Sequence, residues 1–311
     1  MSLIFKWLES LSIDLTITDR CSRLVSPKST CTTCLEHCDV EALTLVNGKI
    51  EIDVNKCDSC GECITSCPVS AVKGNVPSRT VKNGLLYYEP HYCPTVKELL
   101  VFRKCGVKGI AVPGGTLDDS QWVDHIEEAN QWLVKLGLEP FYFCRAEELA
   151  PPAMSRRDLF TSARKKGKDV AKEMAPAEWR QNPNAWSLPF HYRDVQFFEV
   201  QLDLEKCTLC QSCVKLCKQD VFNLSVDAAD GGASSLFINH QKCTNCQLCI
   251  DVCNEDAVVV AEKVSAKTES AIEVEERTCT RCKKSYLAFS VSEDEGKCPV
   301  CSRIPSDWLM P

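Results

Sequence analysis

Long apolar runs are missing from this chain: none of its 311 residues fall in a stretch near the roughly eighteen needed to cross a bilayer. Its opening, Met1-Ser-Leu-Ile-Phe-Lys-Trp-Leu-Glu, carries a charge early and no small-residue cleavage site, so no secretory signal is expected. Histidine is scarce, with five residues and no Cys–His or Ser–His arrangement suited to nucleophilic catalysis. No G-x-G-x-x-G fingerprint for a flavin or nicotinamide occurs. Basic residues are outnumbered 36 to 43, giving a net charge of −7, which argues against a protein that coats nucleic acid. At 44% hydrophobic residues the chain is not a disordered one.

Cysteine is abundant instead, with 23 residues. A cytoplasmic location is expected, and there thiols stay reduced, so a disulfide framework is excluded and metal is the remaining reason to hold so many. Eight lie between Cys21 and Cys67, eight between Cys207 and Cys253, and four between Cys279 and Cys301. Cys93, Cys105 and Cys144 are left over and read as small buried apolar residues.

Three runs spell C-x-x-C-x-x-C-x-x-x-C without error: Cys57 to Cys67, Cys207 to Cys217 and Cys243 to Cys253. Three closely spaced thiolates of such a run wrap one [4Fe–4S] cube while the fourth reaches the other cube of the pair. The run Cys31-Thr-Thr-Cys34-Leu-Glu-His-Cys38 departs from this, with Lys28 where the first ligand should stand. Cys21, ten residues before Cys31, is the candidate displaced ligand; the alternative is a three-ligand site holding a [3Fe–4S] cluster.

On these runs, residues 13–75 and 198–262 each resemble a bacterial two-[4Fe–4S] ferredoxin. Each run follows a short alternating strand, as in Lys49-Ile-Glu-Ile-Asp-Val or Phe198-Glu-Val-Gln-Leu-Asp-Leu, and precedes a one-turn apolar segment such as Val40-Glu-Ala-Leu or Val69-Ser-Ala-Val. The resemblance implies that Cys21, Cys31, Cys34 and Cys67 hold one cube and Cys57, Cys60, Cys63 and Cys38 the next. In the second half it pairs Cys207, Cys210, Cys213 and Cys253 against Cys243, Cys246, Cys249 and Cys217. The proline usual after the last cysteine survives only as Pro68; Asp39, Lys218 and Asn254 replace it, changing hydrogen bonding near the sulfurs without threatening ligation.

Cys279-Thr-Arg-Cys282 and Cys298-Pro-Val-Cys301 form two knuckles at the spacing of a structural zinc ribbon. Rubredoxin iron shares the arrangement, but Lys283-Lys284 and Ser302-Arg303 stand behind these knuckles, so one Zn2+ is expected over mononuclear iron. Between the cysteine-rich halves, Gly84-Leu-Leu-Tyr-Tyr, Cys93 to Cys105, Gly109-Ile-Ala-Val, the periodic series Trp122, Ile126, Ala129, Leu133 and Leu136, and Pro140-Phe-Tyr-Phe predict β-α-β-α-β. Pro94 is placed near the first helical turn and Gly106 as its stop. Gly109 to Thr116 imitates a phosphate loop, but Gly115 occupies the lysine position. From Arg156 to Lys172 runs a basic connector, read as a solvated helix or a docking surface; its Ser155-Arg156-Arg157 looks like a twin-arginine signal but lacks the apolar stretch.

The expected fold is α+β: ferredoxin-like [4Fe–4S] modules at 1–76 and 197–265, a small α/β insert at 77–149, the connector at 150–196 and a zinc ribbon at 266–311. By resemblance to polyferredoxin-type subunits, the chain would relay electrons through four [4Fe–4S] clusters without a catalytic site of its own. Its partners would be a catalytic oxidoreductase subunit, such as a molybdopterin enzyme of the formate dehydrogenase kind, and a second electron carrier or quinone-linked subunit. Neither nucleic acid nor a membrane span is expected, and a partner would provide any association with the cytoplasmic membrane face. Two rivals are an iron–sulfur sensor or assembly factor whose ribbon contacts partners or nucleic acid, and a reductase using the insert.

Overall fold

A computed structural model describes residues 15–74, 76, 79–90, 92–146, 184–225, 234–291 and 296–303, a mixture of helix and strand. The chain divides into two compact units: Met1–Leu24 with Thr32–Tyr192, and Val25–Cys31 with Arg193–Pro311. The basic connector from Arg156 to Lys172 lies outside the described residues. Among the described residues, no helix is long and apolar enough to cross a membrane.

The first unit opens with β1 (Leu15–Ile17), α1 (Ser22–Val25), α2 (Thr33–Glu36), β2 (Leu43–Val46), β3 (Lys49–Ile52), α3 (Glu62–Ser66) and β4 (Val72–Gly74). β1 pairs antiparallel with β4, placing Ile17 opposite Val72. β2 and β3 form a hairpin, with Leu43 opposite Ile52. Asn47 and Gly48 both take positive φ at its tip, the two-residue chemistry that matches strand twist.

The unit continues with β5 (Val81–Lys82), β6 (Leu85–Tyr87), α4 (Val96–Lys104), β7 (Gly109–Val112), α5 (Ser120–Lys135) and β8 (Tyr142–Arg145). The sheet order is β5-β6-β7-β8, with β6, β7 and β8 parallel and β5 an antiparallel edge. All four residues of β7 are buried, as a central parallel strand requires. A Cβ at Gly109 would stand 2.7 Å from the Tyr142 carbonyl oxygen, so only glycine fits that strand pair. α5 buries Trp122, Ile126, Ala129 and Leu133 on one face. Asp119 caps it by accepting from the Trp122 N–H at 3.3 Å. α4 starts later than the sequence predicts. Thr95 is its cap, accepting from the Glu98 N–H at 3.2 Å, which leaves Pro94 outside the helix. α6 (Leu188–His191) follows, and the Tyr192 hydroxyl donates to the Leu100 carbonyl at 2.8 Å.

The second unit contains β9 (Val195–Leu202), α7 (Ser212–Leu216), β10 (Phe222–Ser225), β11 (Ser234–Asn239), α8 (Leu248–Asp251), β12 (Val258–Ala266), β13 (Glu269–Thr278), β14 (Ser285–Phe289) and α9 (Pro299–Arg303). β9 pairs antiparallel with β12, and β10 with β11, repeating the plan of β1–β4 and β2–β3. Val200, Phe222, Ile238 and Val258 form its core. β13 pairs with both β11 and β14, so the four C-terminal cysteines are carried on a sheet shared with the preceding cysteine-rich segment.

The one-turn segments expected after each cysteine run are turns leading directly into strands β2, β4, β10 and β12. In the three regular runs the short helix instead carries the third cysteine and ends before the fourth. A helical turn there separates the fourth thiol from the other three.

Candidate metal centres

The three regular runs share one backbone. Ser59, Leu209 and Asn245, each just before the middle cysteine, have φ of 62°, 49° and 53°. Gly61, Gln211 and Gln247, each just after it, have φ of 78°, 64° and 60°. Left-handed conformations at non-glycine residues cost of order 1–3 kcal/mol each and persist only where something holds them. Here they alternate around the middle cysteine, so that two thiols precede α3, α7 or α8 and the third lies in its first turn. In the departing run Thr32, the equivalent of Gly61, has φ of −124°. Its loop therefore does not share that backbone.

Each regular loop meets a thiol from the other run of its half. Cys57, Cys60 and Cys63 line one cavity with Cys38. Cys207, Cys210 and Cys213 line a second with Cys253 and Cys249. Cys243, Cys246 and Cys249 line a third with Cys217. The walls are apolar, with Ala42, Leu43, Ile52 and Val54 around the first and Leu202, Val214 and Val258 around the second.

Burial pushes the Cys60, Cys213 and Cys243 thiols up to about 12. The Cys63 thiol is also pushed up, by burial first and then by Cys60, Cys34, Cys57 and Cys38 around it. Thiols crowded into an apolar cavity cannot ionise together unless a cationic group neutralises them. That donor set fits an iron–sulfur cluster. The fourth thiols are further prepared by backbone amides: Ala42 N–H donates to Cys38 Sγ at 3.2 Å, Ala71 to Cys67 at 3.2 Å and Ala257 to Cys253 at 3.3 Å. Such bonds stabilise negative charge on sulfur.

Cys21 stands at a strand exit that recurs four times. Thr18 donates to the Ala71 carbonyl and Asp53 to Ala42, both at 2.8 Å. Asp203 donates to Ala257 and Asn239 to Val221 at the same distance. From that point Cys57, Cys207 and Cys243 are four residues on, and Cys21 is three. The Cys21 N–H returns to Thr18 O at 3.0 Å, as Cys207 N–H does to Asp203 O. The extra residues of this run thus fall after Cys21, in α1 and the loop beyond it. Of the remaining members of its set, Cys34 and Cys67 lie in the same unit as Cys21, whereas Cys31 ends the segment that groups with the second unit.

Cys279, Cys282, Cys298 and Cys301 converge more tightly. Their sulfurs all lie within 4.8 Å of one another, with Cys282 and Cys298 at 3.9 Å. A tetrahedral thiolate site with bonds near 2.3 Å has edges of about 3.8 Å. The Cys298 N–H donates to Cys279 Sγ at 3.3 Å. Backbone amides of Cys282 and Cys298 hold the buried Cys279 thiol down to about 6, in the range of a ready ligand. Lys283, with φ of 60°, and Gly296, with φ of 70°, shape the two knuckles.

Of the three leftover cysteines, only Cys93 is buried; its sulfur lies 3.2 Å from His125 Nδ1, which sits 2.9 Å from the Pro94 carbonyl. Cys105 is exposed at the end of α4 and Cys144 half-buried, so the expectation of three core residues fails for both. Sequence reasoning also missed Arg79 and Glu98, a fully buried ion pair at 3.0 Å whose guanidinium also donates to the Tyr92 carbonyl at 2.8 Å. It missed Glu62 as well. Burial, and then Asp39, raise that carboxyl to about 7. No periodicity marks a charged residue for burial.

The Gly114–Gly115 turn carries no lysine, in keeping with the rejected phosphate loop, and Arg145 covers it: a Cβ at Gly115 would meet Arg145 Cγ at 2.7 Å. No curated protein matches the chain. Residues 49–72, from β3 through Cys57, Cys60, Cys63 and Cys67 to the start of β4, match the family model of a 4Fe-4S binding domain, which supports at least one [4Fe–4S] cluster and, with so many cysteines, an iron–sulfur protein suited to electron transfer.

Proposed function

We propose that this chain is an electron-transfer subunit holding four [4Fe–4S] clusters in two ferredoxin-like modules, with one Zn2+ in a C-terminal ribbon. Cys21, Cys31, Cys34 and Cys67 hold the first cluster and Cys57, Cys60, Cys63 and Cys38 the second. Cys207, Cys210, Cys213 and Cys253 hold the third and Cys243, Cys246, Cys249 and Cys217 the fourth. Cys279, Cys282, Cys298 and Cys301 bind zinc. The single observation that carries the reading is the crossing of thiols, three from one run joined by one or two from its neighbour, around each of three cavities.

Clusters supply reversible one-electron chemistry across a wide span of potentials. The protein's part is to exclude water from the sulfurs with apolar walls and to direct amides at the fourth thiols. The described residues include no nucleophile–base pair suited to substrate chemistry beyond the buried Cys93–His125 contact. The chain therefore relays electrons between a catalytic oxidoreductase subunit and a second carrier or quinone-linked partner, in the cytoplasm or on the cytoplasmic face of a membrane.

Anaerobically purified protein should contain about sixteen irons and sixteen sulfides per chain. Iron and sulfide analysis with electron paramagnetic resonance tests this. Eight irons in protein never exposed to oxygen would overturn the two-module reading.

A further inference from the structure

Lys97 stands in the first turn of α4. That is an unfavourable place for a cation, because the helix dipole presents its positive end there. Its ammonium donates to the carbonyl oxygen of Cys67 at 2.6 Å. Among the described residues no carboxylate pairs with it; burial lowers its pKa to about 8, and the Cys67 sulfur beside it opposes that shift. The position is held from both sides. The Thr95 hydroxyl, which caps α4, donates to the Thr65 hydroxyl of α3 at 3.1 Å, both residues being buried. Glu98, one residue on, is locked by Arg79.

Cys38, Cys67 and Cys253 each receive a backbone amide on sulfur; among the described residues, Cys67 is the one of these three whose own carbonyl also receives an ammonium. A lysine fixed without a counter-ion needs a compensating negative charge nearby. A thiolate-ligated cluster supplies one, and gains one more negative charge with each electron it accepts.

We propose that Lys97 is a potential-setting residue, by which the α/β segment raises the reduction potential of the cluster anchored by Cys67. The inference rests on Cys67 being a cluster ligand. The reduced cluster is favoured over the oxidised one because its added charge lies beside a fixed ammonium in a poorly screened setting.

The test is a reductive titration of the full chain, purified without oxygen and followed by electron paramagnetic resonance, for wild type, Lys97→Met, Lys97→Gln and Lys97→Arg. Methionine and glutamine remove the charge, and glutamine keeps a donor. In both, one cluster signal should shift to more negative potential while the others stay. Arginine should return it close to wild type, and the shift should persist at raised salt, because a shielded charge is screened far less than an exposed one. Unchanged potentials in Lys97→Met and Lys97→Gln at full iron content would overturn the proposal. So would loss of iron in all three variants alike, which would make Lys97 a structural staple. Cys67→Ala separates this outcome from failure of the underlying reading: if it keeps all its iron, Cys67 is not a ligand and the reading itself has failed.

Discussion

The Thr18 N–H donates to the Ala71 carbonyl at 2.8 Å, and this bond fixes where Cys21 stands. Its counterparts from Asp53, Asp203 and Asn239 each precede the first cysteine of a regular run. Cys21 is thus anchored to the sheet formed by β1 and β4, whatever the length of the loop that separates it from Cys31.

Cys21→Ala should therefore remove one iron site and no more. Anaerobic protein should lose about one iron, and a [3Fe–4S] signal should appear in place of one cubane signal. Iron analysis and electron paramagnetic resonance check it. Retention of all irons would mean that a group other than Cys21 completes the site.

Cys279→Ser should release one zinc, leave iron and visible absorbance nearly unchanged, and expose the C-terminal segment to protease, since a ribbon of this size draws its stability from the metal. Bleaching of a rubredoxin-like band would instead identify redox iron. In the metal-free state, Cys279 has a folded pKa of about 6, depressed from about 9. The stability it contributes is therefore full above about 9 and lost as pH falls through about 6.

Glu62 carries the opposite sign. Its carboxyl is raised from 4.5 to about 7, so the folded state binds the proton more tightly and the cost of ionising it grows as pH rises from 4.5 through 7. Glu62→Gln should gain stability relative to wild type across that window, approaching ~3 kcal/mol above pH 7 as an upper limit. Apparent melting temperatures of both proteins at pH values from about 4.5 to about 8 check the trend. A constant difference would refute it.

Arg79→Met should destabilise the protein by roughly 3–5 kcal/mol, because it leaves Glu98 buried without its partner. The double variant Arg79→Met with Glu98→Leu should recover most of the loss. Denaturant midpoints of the three variants against wild type decide it. Equal losses in the single and double variants would show that the ion pair is not the source.

Local rules carried much of this structure. The alternation in Lys49-Ile-Glu-Ile and Phe198-Glu-Val-Gln-Leu yields β3 and most of β9, and the four-and-three spacing of Trp122, Ile126, Ala129 and Leu133 yields the buried face of α5. Period and side-chain polarity are properties of the chain itself. Boundaries were less legible: the helix expected from Cys93 begins at Val96, because the Thr95 hydroxyl reaches the Glu98 amide and ends the extended segment there. The leftover cysteines were misjudged because burial depends on what packs opposite. Cys105 ends α4 facing solvent, while Cys93 lies beneath α5 against His125.

The sequence by itself determined the spacing of the thiols, and with it the class of chemistry, because ligand loops are short enough for their geometry to follow from residue count. Only the tertiary structure decided which thiols share a cavity. Cys38 joins Cys57, and Cys253 joins Cys207, since strand pairing between β2 and β3 or β9 and β12 folds one run back on the other. It alone placed Lys97 beside Cys67, thirty residues away, and sank Arg79 with Glu98. Charge burial is a bargain struck between distant segments, each compensating the other, and no local pattern in either one records it.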